Sequence, residues 1–94
     1  MIKTFRHKGL QVFFETGSKV GIQPHHAGKL RILLTTLDSA KRTEDMNAPG
    51  WKLHPLTGNL DGHYSVTING NWRLTLTFTF DGENAELVDY LDYH

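Results

Sequence analysis

From residue 63 onward, hydrophobic and polar positions alternate one for one. In GHYSVTINGNWRLTLTFTF, Tyr64, Val66 and Ile68 stand on one side of an extended chain, with His63, Ser65 and Thr67 on the other. After Asn69-Gly70 the same alternation sets Trp72, Leu74, Leu76, Phe78 and Phe80 against Arg73, Thr75, Thr77 and Thr79. A period of two is that of a strand. Asn-Gly between two such runs predicts a hairpin. The stretch DGEN, Asp81 to Asn84, predicts the next turn, and AELVDYLDY a last strand. One face of this sheet is apolar and needs cover; the other carries hydroxyls and a single arginine.

The first half of the chain has a different rhythm. MIKTF alternates loosely and predicts a brief first strand, whereas HKGLQVFFETG places Leu10, Phe13 and Phe14 at helical spacing with Gly17 as the terminator. A longer helix starts near Pro24, a favoured first-turn residue, and runs to about Ala40. Its apolar stripe is Ala27, Leu30, Leu33, Leu34 and Leu37, leaving Lys29, Arg31, Thr35, Thr36 and Asp38 outward. Residues 41–50, KRTEDMNAPG, sustain no period and predict a loop with one turn of helix. No repeat or linker divides the chain. The expected architecture is α+β: a single small domain, residues 1–94, with a short N-terminal strand and two helices packed on one face of a mainly antiparallel twisted sheet.

Composition narrows this picture. At 94 residues there is room for one core. Cysteine is absent, so aliphatic and aromatic packing must hold the fold without disulfides or thiolate zinc. No apolar run approaches the roughly 18 residues of a membrane span, and the amino terminus is charged within its first positions. The expectation is a cytoplasmic protein with no membrane association. Formal net charge is +0, but the basic residues are unevenly placed. Lys3, Arg6, Lys8, Lys19, Lys29, Arg31, Lys41, Arg42 and Lys52 precede residue 53, and only Arg73 follows it. A basic half can dock a polyanion by releasing counterions, although mixed charge on solvated helix faces accounts for the same pattern.

WKLHPLTGNLDGHYSVTINGNWRLTLTF followed by the terminal LDYH resembles the HigB branch of the RelE/ParE toxin superfamily, and the opening MIKTFRHKGLQVFFETG and the long helix fit the same pattern. The resemblance implies a RelE-like fold with an RNA-handling cleft on the open sheet face. It implies a toxin of a type II toxin-antitoxin system that cuts messenger RNA in the ribosomal A site. The implied partner is a HigA-type helix-turn-helix antitoxin, with operator DNA reached only through that antitoxin. Carried over position by position, the implied catalytic residues are His54 of KLHPL, and Asp92, Tyr93 and His94 of LDYH. Arg73 of NWR is implied as a phosphate or transition-state contact, and Lys52 as a further substrate contact. Two alternatives on the same fold are a ParE-like gyrase inhibitor and a catalytically inactive antitoxin-binding module.

RNA cleavage without a metal uses the neighbouring 2′-hydroxyl as nucleophile. It needs a base for that proton, an acid for the leaving 5′-oxygen and positive charge at the phosphate. Two imidazoles can serve the two proton transfers, with His54 as base and His94 as acid; a guanidinium suits the non-bridging oxygens. Alternation puts Val88, Tyr90, Asp92 and His94 on one side of the last strand, and Leu87, Asp89, Leu91 and Tyr93 on the other. Trp51 and Trp72 are expected in the core. No cofactor is expected. His25 and His26, with His7 or His63, do not form a metal set, because adjacent imidazoles on a helix point apart.

Overall fold

A computed structural model describes residues 1–69 and 74–92. Helix α1 spans Lys8–Thr16 and helix α2 Ala27–Ser39; strands β1 (His54–Pro55), β2 (Tyr64–Asn69), β3 (Leu74–Asp81) and β4 (Asn84–Asp92) follow. The four strands form one antiparallel sheet in the order β1-β2-β3-β4. Short 3₁₀ turns occur at Pro24–His26, Thr43–Met46 and Gly58–Leu60. The expected α+β arrangement is therefore present. Among the described residues no helix is long and apolar enough to cross a membrane.

Both helices begin and end for local reasons. The His7 ring caps α1, its Nδ1 accepting from the Leu10 N–H at 3.0 Å. Gly17, at φ 83, closes the helix in the left-handed region, with its N–H on the Phe13 carbonyl at 2.8 Å. Pro24 does open the second helical segment, but its first turn is 3₁₀ and the α-helix proper starts at Ala27. Between the helices, Gly9 and Gly21 meet backbone to backbone. A Cβ on Gly9 would stand 2.5 Å from the Gly21 carbonyl oxygen, which only glycine avoids.

One core lies between the helices and the apolar sheet face. Leu10 and Phe13 of α1 and Leu30, Leu33, Leu34 and Leu37 of α2 pack with Val66, Ile68, Leu76, Phe78, Ala85 and Val88. Each such large side chain removed from water contributes about 1.5–3 kcal/mol, which a domain this small cannot do without. The predicted first strand is present only as a pair of parallel bridges, Ile2 to Ala85 and Phe5 to Val88. Continuous pairing fails because β3 and β4 shift register between Thr77 and Thr79: β4 advances from Asp89 to Glu86 over the same interval, and Leu87 takes φ 53. The N-terminal segment is tied down instead by Lys3 N–H to Ala85 O and Arg6 N–H to Val88 O, both 2.8 Å, and by Ile2 N–H to the Asp38 carboxylate at 3.0 Å.

The hairpin that Asn69-Gly70 predicts joins β2 to β3 as an antiparallel pair. Asn69 pairs with Leu74, and the register shifts between Thr67 and Asn69. Trp72, expected in the core, and Arg73 lie outside the described residues.

His26 is the buried histidine of the helix layer, 4% exposed, with Nδ1 3.0 Å from the Tyr90 hydroxyl. The 3₁₀ turn brings its ring to 4.0 Å from that of His25, so these adjacent imidazoles do not point apart as on a regular α-helix. Burial, and then the neighbouring His25, hold the His26 pKa below the usual histidine value. The unfolded chain takes up this proton at an ordinary histidine pKa, so it binds more protons than the folded state as pH falls below that point. His26 therefore costs nothing above about pH 6.5 and lowers stability progressively below it. Thermal melting followed from about pH 8 to pH 5 should show a fall in midpoint that is shallower in His26→Gln; equal slopes would contradict this reading.

Candidate active site

The segment before β1 is pinned to β2 at two points. The Trp51 carbonyl accepts the Thr67 N–H at 2.7 Å, and the Leu56 N–H donates to the His63 carbonyl at 2.9 Å. Trp51 is half-buried against the core as expected, with the Lys29 ammonium 5.2 Å above its ring. On either side of Trp51 the chain turns through the left-handed region, at Gly50 with φ 84 and at Lys52 with φ 53, a conformation that L side chains rarely adopt. Between the pins, His54 pairs with Ser65 and Pro55 with Tyr64. Two residues of edge strand thus present one exposed imidazole.

That imidazole is held by two neighbours. His54 Nδ1 lies 2.9 Å from the Lys52 carbonyl oxygen. A carbonyl only accepts, so Nδ1 carries a proton and, in the neutral ring, the lone pair is on Nε2. Ser65 Oγ lies 3.1 Å from Nε2 and 3.4 Å from Nδ1. Ser65 itself is 1% exposed, so its hydroxyl has little freedom to seek another partner in water.

The register continues the row across the sheet. His54 faces Ser65, Ser65 faces Thr77, and Thr77 faces Asp89. The neighbouring row sets Thr67 opposite Thr75. This is the hydroxyl face that alternation predicts, but it is not open to solvent throughout: Ser65, Thr75 and Thr77 are buried. Asp89 is half-buried, with Oδ1 accepting the Tyr90 N–H at 2.8 Å. Among the described residues, the buried His63 ring and Thr75 hydroxyl have no hydrogen-bond partner. They put polar atoms beneath the polar sheet face that His54 borders.

Of the residues expected at the site, His54 and Lys52 are described, and both are exposed. Arg73, Tyr93 and His94 lie outside the described residues. Asp92 is the last residue of β4 and pairs with Leu74. Further along, Tyr90 pairs with Leu76, and Val88 is fully buried in the helix-packed core. The Val88–Tyr90 side of the strand is therefore the helix side, and Asp89 is the acid in the row of His54. Sequence reasoning passed over Ser65, Thr77 and Asp89 as site residues. Alternation put Ser65 and Thr77 on the polar face, but only the strand register aligns them with His54. Among the described residues no three His, Asp or Glu side chains form a group that could hold a metal ion.

Comparison with known proteins places this arrangement in context. The model of the HigB-like toxin family, described as the RelE-like toxin of type II toxin-antitoxin system HigB, matches residues 3–94. The Endoribonuclease HigB of Proteus vulgaris is 38% identical over 94 residues, covering 100% of each chain. Among solved structures, the YoeB-YefM complex from Staphylococcus aureus contains a chain that superposes with a TM-score of 0.61 at 21% identity, covering 100% of this chain and 98% of that one. A heterotetrameric YoeB-YefM toxin-antitoxin complex of the same organism matches to the same degree. These two likenesses establish the RelE-like fold.

The strain at Lys52 has a measurable consequence. A left-handed non-glycine residue costs roughly 1–2 kcal/mol, so Lys52→Gly should raise unfolding stability by up to about 1 kcal/mol after glycine's larger unfolded-state entropy is set against it. Denaturant titration reads the change; a clear loss of stability would mean that packing of the lysine stem outweighs the strain.

Proposed function

This chain belongs to the HigB-like family of RelE-like toxins of type II toxin-antitoxin systems, and from that premise we propose that it is an endoribonuclease that cuts messenger RNA on the ribosome by metal-free attack of a 2′-hydroxyl on the adjacent phosphate. The observation that carries this reading is the state of His54: exposed, with Nδ1 committed to the Lys52 carbonyl and the lone pair of Nε2 at the edge of a polar sheet face. A neutral imidazole so held is a base with one free direction of attack. The 38% identity to an endoribonuclease over the full chain supports the same class of activity.

In this reading His54 Nε2 takes the proton of the 2′-hydroxyl, whose oxygen attacks phosphorus. His94 supplies a proton to the departing 5′-oxygen. Arg73 offers its guanidinium to the non-bridging oxygens, and the Lys52 ammonium contacts the backbone on the near side. Asp92 and Tyr93 act beside His94. A formal net charge of +0 gives the protein little general affinity for free RNA, which favours a substrate delivered and positioned by the ribosome. The antitoxin that the family implies is, in this proposal, a HigA-type helix-turn-helix protein, and operator DNA is reached through it. The site of action is the cytoplasm.

Expression without antitoxin should arrest growth and leave messages cut within codons. His54→Ala should lower the cleavage rate by about 10² to 10⁴-fold, while unfolding stability changes by no more than about 1 kcal/mol because the ring is exposed. Arg73→Ala and His94→Ala should also abolish growth arrest. Full toxicity of His54→Ala would contradict the assignment, and intact transcripts with inhibited DNA supercoiling would favour the gyrase-inhibitor alternative.

A further inference from the structure

We propose that Tyr90, hydrogen-bonded to the buried His26, is a positioning residue that anchors the end of β4 to the helix layer and so sets where the terminal Asp92, Tyr93 and His94 start from. The consequence for cleavage rests on the reading of those three residues as part of the active site. The need for an anchor comes from the edge of the sheet. Up to Val88 the outer side of β4 is held by the N-terminal segment, whose last bridge joins Phe5 to Val88 and whose Arg6 N–H donates to the Val88 carbonyl at 2.8 Å. Beyond Val88, among the described residues, the strand pairs with β3 alone, at Asp89, Tyr90, Leu91 and Asp92. Tyr90 is where a side chain takes over: its hydroxyl lies 3.0 Å from His26 Nδ1, and its ring centroid 5.6 Å from that of His7.

Both neighbours of Tyr90 are themselves fixed. His26 is 4% exposed and stands immediately before the first residue of α2. His7 is the N-cap of α1, held by the Leu10 N–H at 3.0 Å. Tyr90 therefore meets the starts of both helices, and it packs against the same core that ties those helices to the sheet. The hydrogen bond forms with either neutral tautomer of His26: the phenol O–H donates to a bare Nδ1, or Nδ1–H donates to the phenol oxygen. Burial of the imidazole keeps water from competing for that nitrogen. His94 is four residues past Tyr90, at most about 14 Å of extended chain, so a shift at the end of β4 reaches it directly. Misplacing a reacting group by about 1 Å can cost on the order of 100-fold in rate. Neither Tyr90 nor His26 enters the bond changes; together they fix the platform from which the terminal residues extend.

Two measurements on the full chain test this, both made well below the melting temperature of every variant. Tyr90→Phe keeps the ring and removes only the hydroxyl, and His26→Leu removes the other half of the contact. Amide hydrogen exchange at Leu91 should quicken about tenfold in either variant relative to exchange at Val66 of β2, because the end of β4 opens locally. Equal acceleration at the two amides overturns the proposal, since it would report a general loss of stability. Steady-state cleavage on ribosomes programmed with a defined message should give Tyr90→Phe a kcat about tenfold lower with KM changed less than twofold. His26→Asn, whose side-chain amide can donate or accept from the position of Nδ1, should retain most of the wild-type rate. The double variant Tyr90→Phe/His26→Leu should be no slower than the slower single one, because one contact is lost only once. A Tyr90→Phe kcat within twofold of wild type overturns the proposal, as do losses that multiply in the double variant. Hydrogen exchange needs no activity: a wild-type protein that cuts no message would sink the endoribonuclease reading, while selective opening at Leu91 would still uphold the anchor.

Discussion

Removal of one sheet face from water is the constraint on which the rest depends. Val66, Leu76, Phe78 and Val88 are fully buried side chains on three adjacent strands, and α1 and α2 together supply the apolar surface that covers them. Two helices of 9 and 13 residues are enough to cover one face of this sheet. The other face is consequently left to serine, threonine and histidine, and the chain can assemble chemistry there without opening its core. The tie between Ile2 and Asp38 and the bridges from the N-terminal segment to β4 secure the helix layer from the far edge.

The second constraint acts at the opposite edge. A strand of two residues has almost no ladder of its own, so β1 is held by its flanks, Trp51 to Thr67 and Leu56 to His63. Holding it there forces Lys52 into the left-handed region, and that same turn aims the Lys52 carbonyl at the His54 ring. The strain and the orientation of the imidazole are thus two aspects of one backbone path. An exposed histidine in a loop would sample many rotamers, whereas this one has Nδ1 held by the Lys52 carbonyl and the Ser65 oxygen close to its ring.

Much of the fold was legible in the sequence because it follows from local periods. The 3.6-residue stripe of Leu30, Leu33, Leu34 and Leu37 and the two-residue alternation through β2 and β3 reflect what each element must bury, and both appear where expected. What was not legible depends on pairing between distant segments. Nothing in AELVDYLDY signals that Leu87 breaks the alternation, which is why the first strand survives only as bridges and why Asp89 aligns with the His54 row. The hairpin that Asn69-Gly70 predicts does join β2 to β3, but the register shift between Thr67 and Asn69 has no sign in the alternation. His54 and Lys52 were legible through their motif. Ser65 was not, since a serine in an alternating strand has no mark of its own until the strand opposite it is known.

The central claim is that the message is cut by its own 2′-hydroxyl, with His54 as base. The chemical form of the cut ends tests it most directly. Message cleaved on programmed ribosomes by the purified protein should carry 2′,3′-cyclic phosphate on the upstream fragment and 5′-hydroxyl on the downstream one. Fragments ending in 3′-hydroxyl and 5′-phosphate would mean that water, not the neighbouring hydroxyl, attacks phosphorus, and would contradict the account.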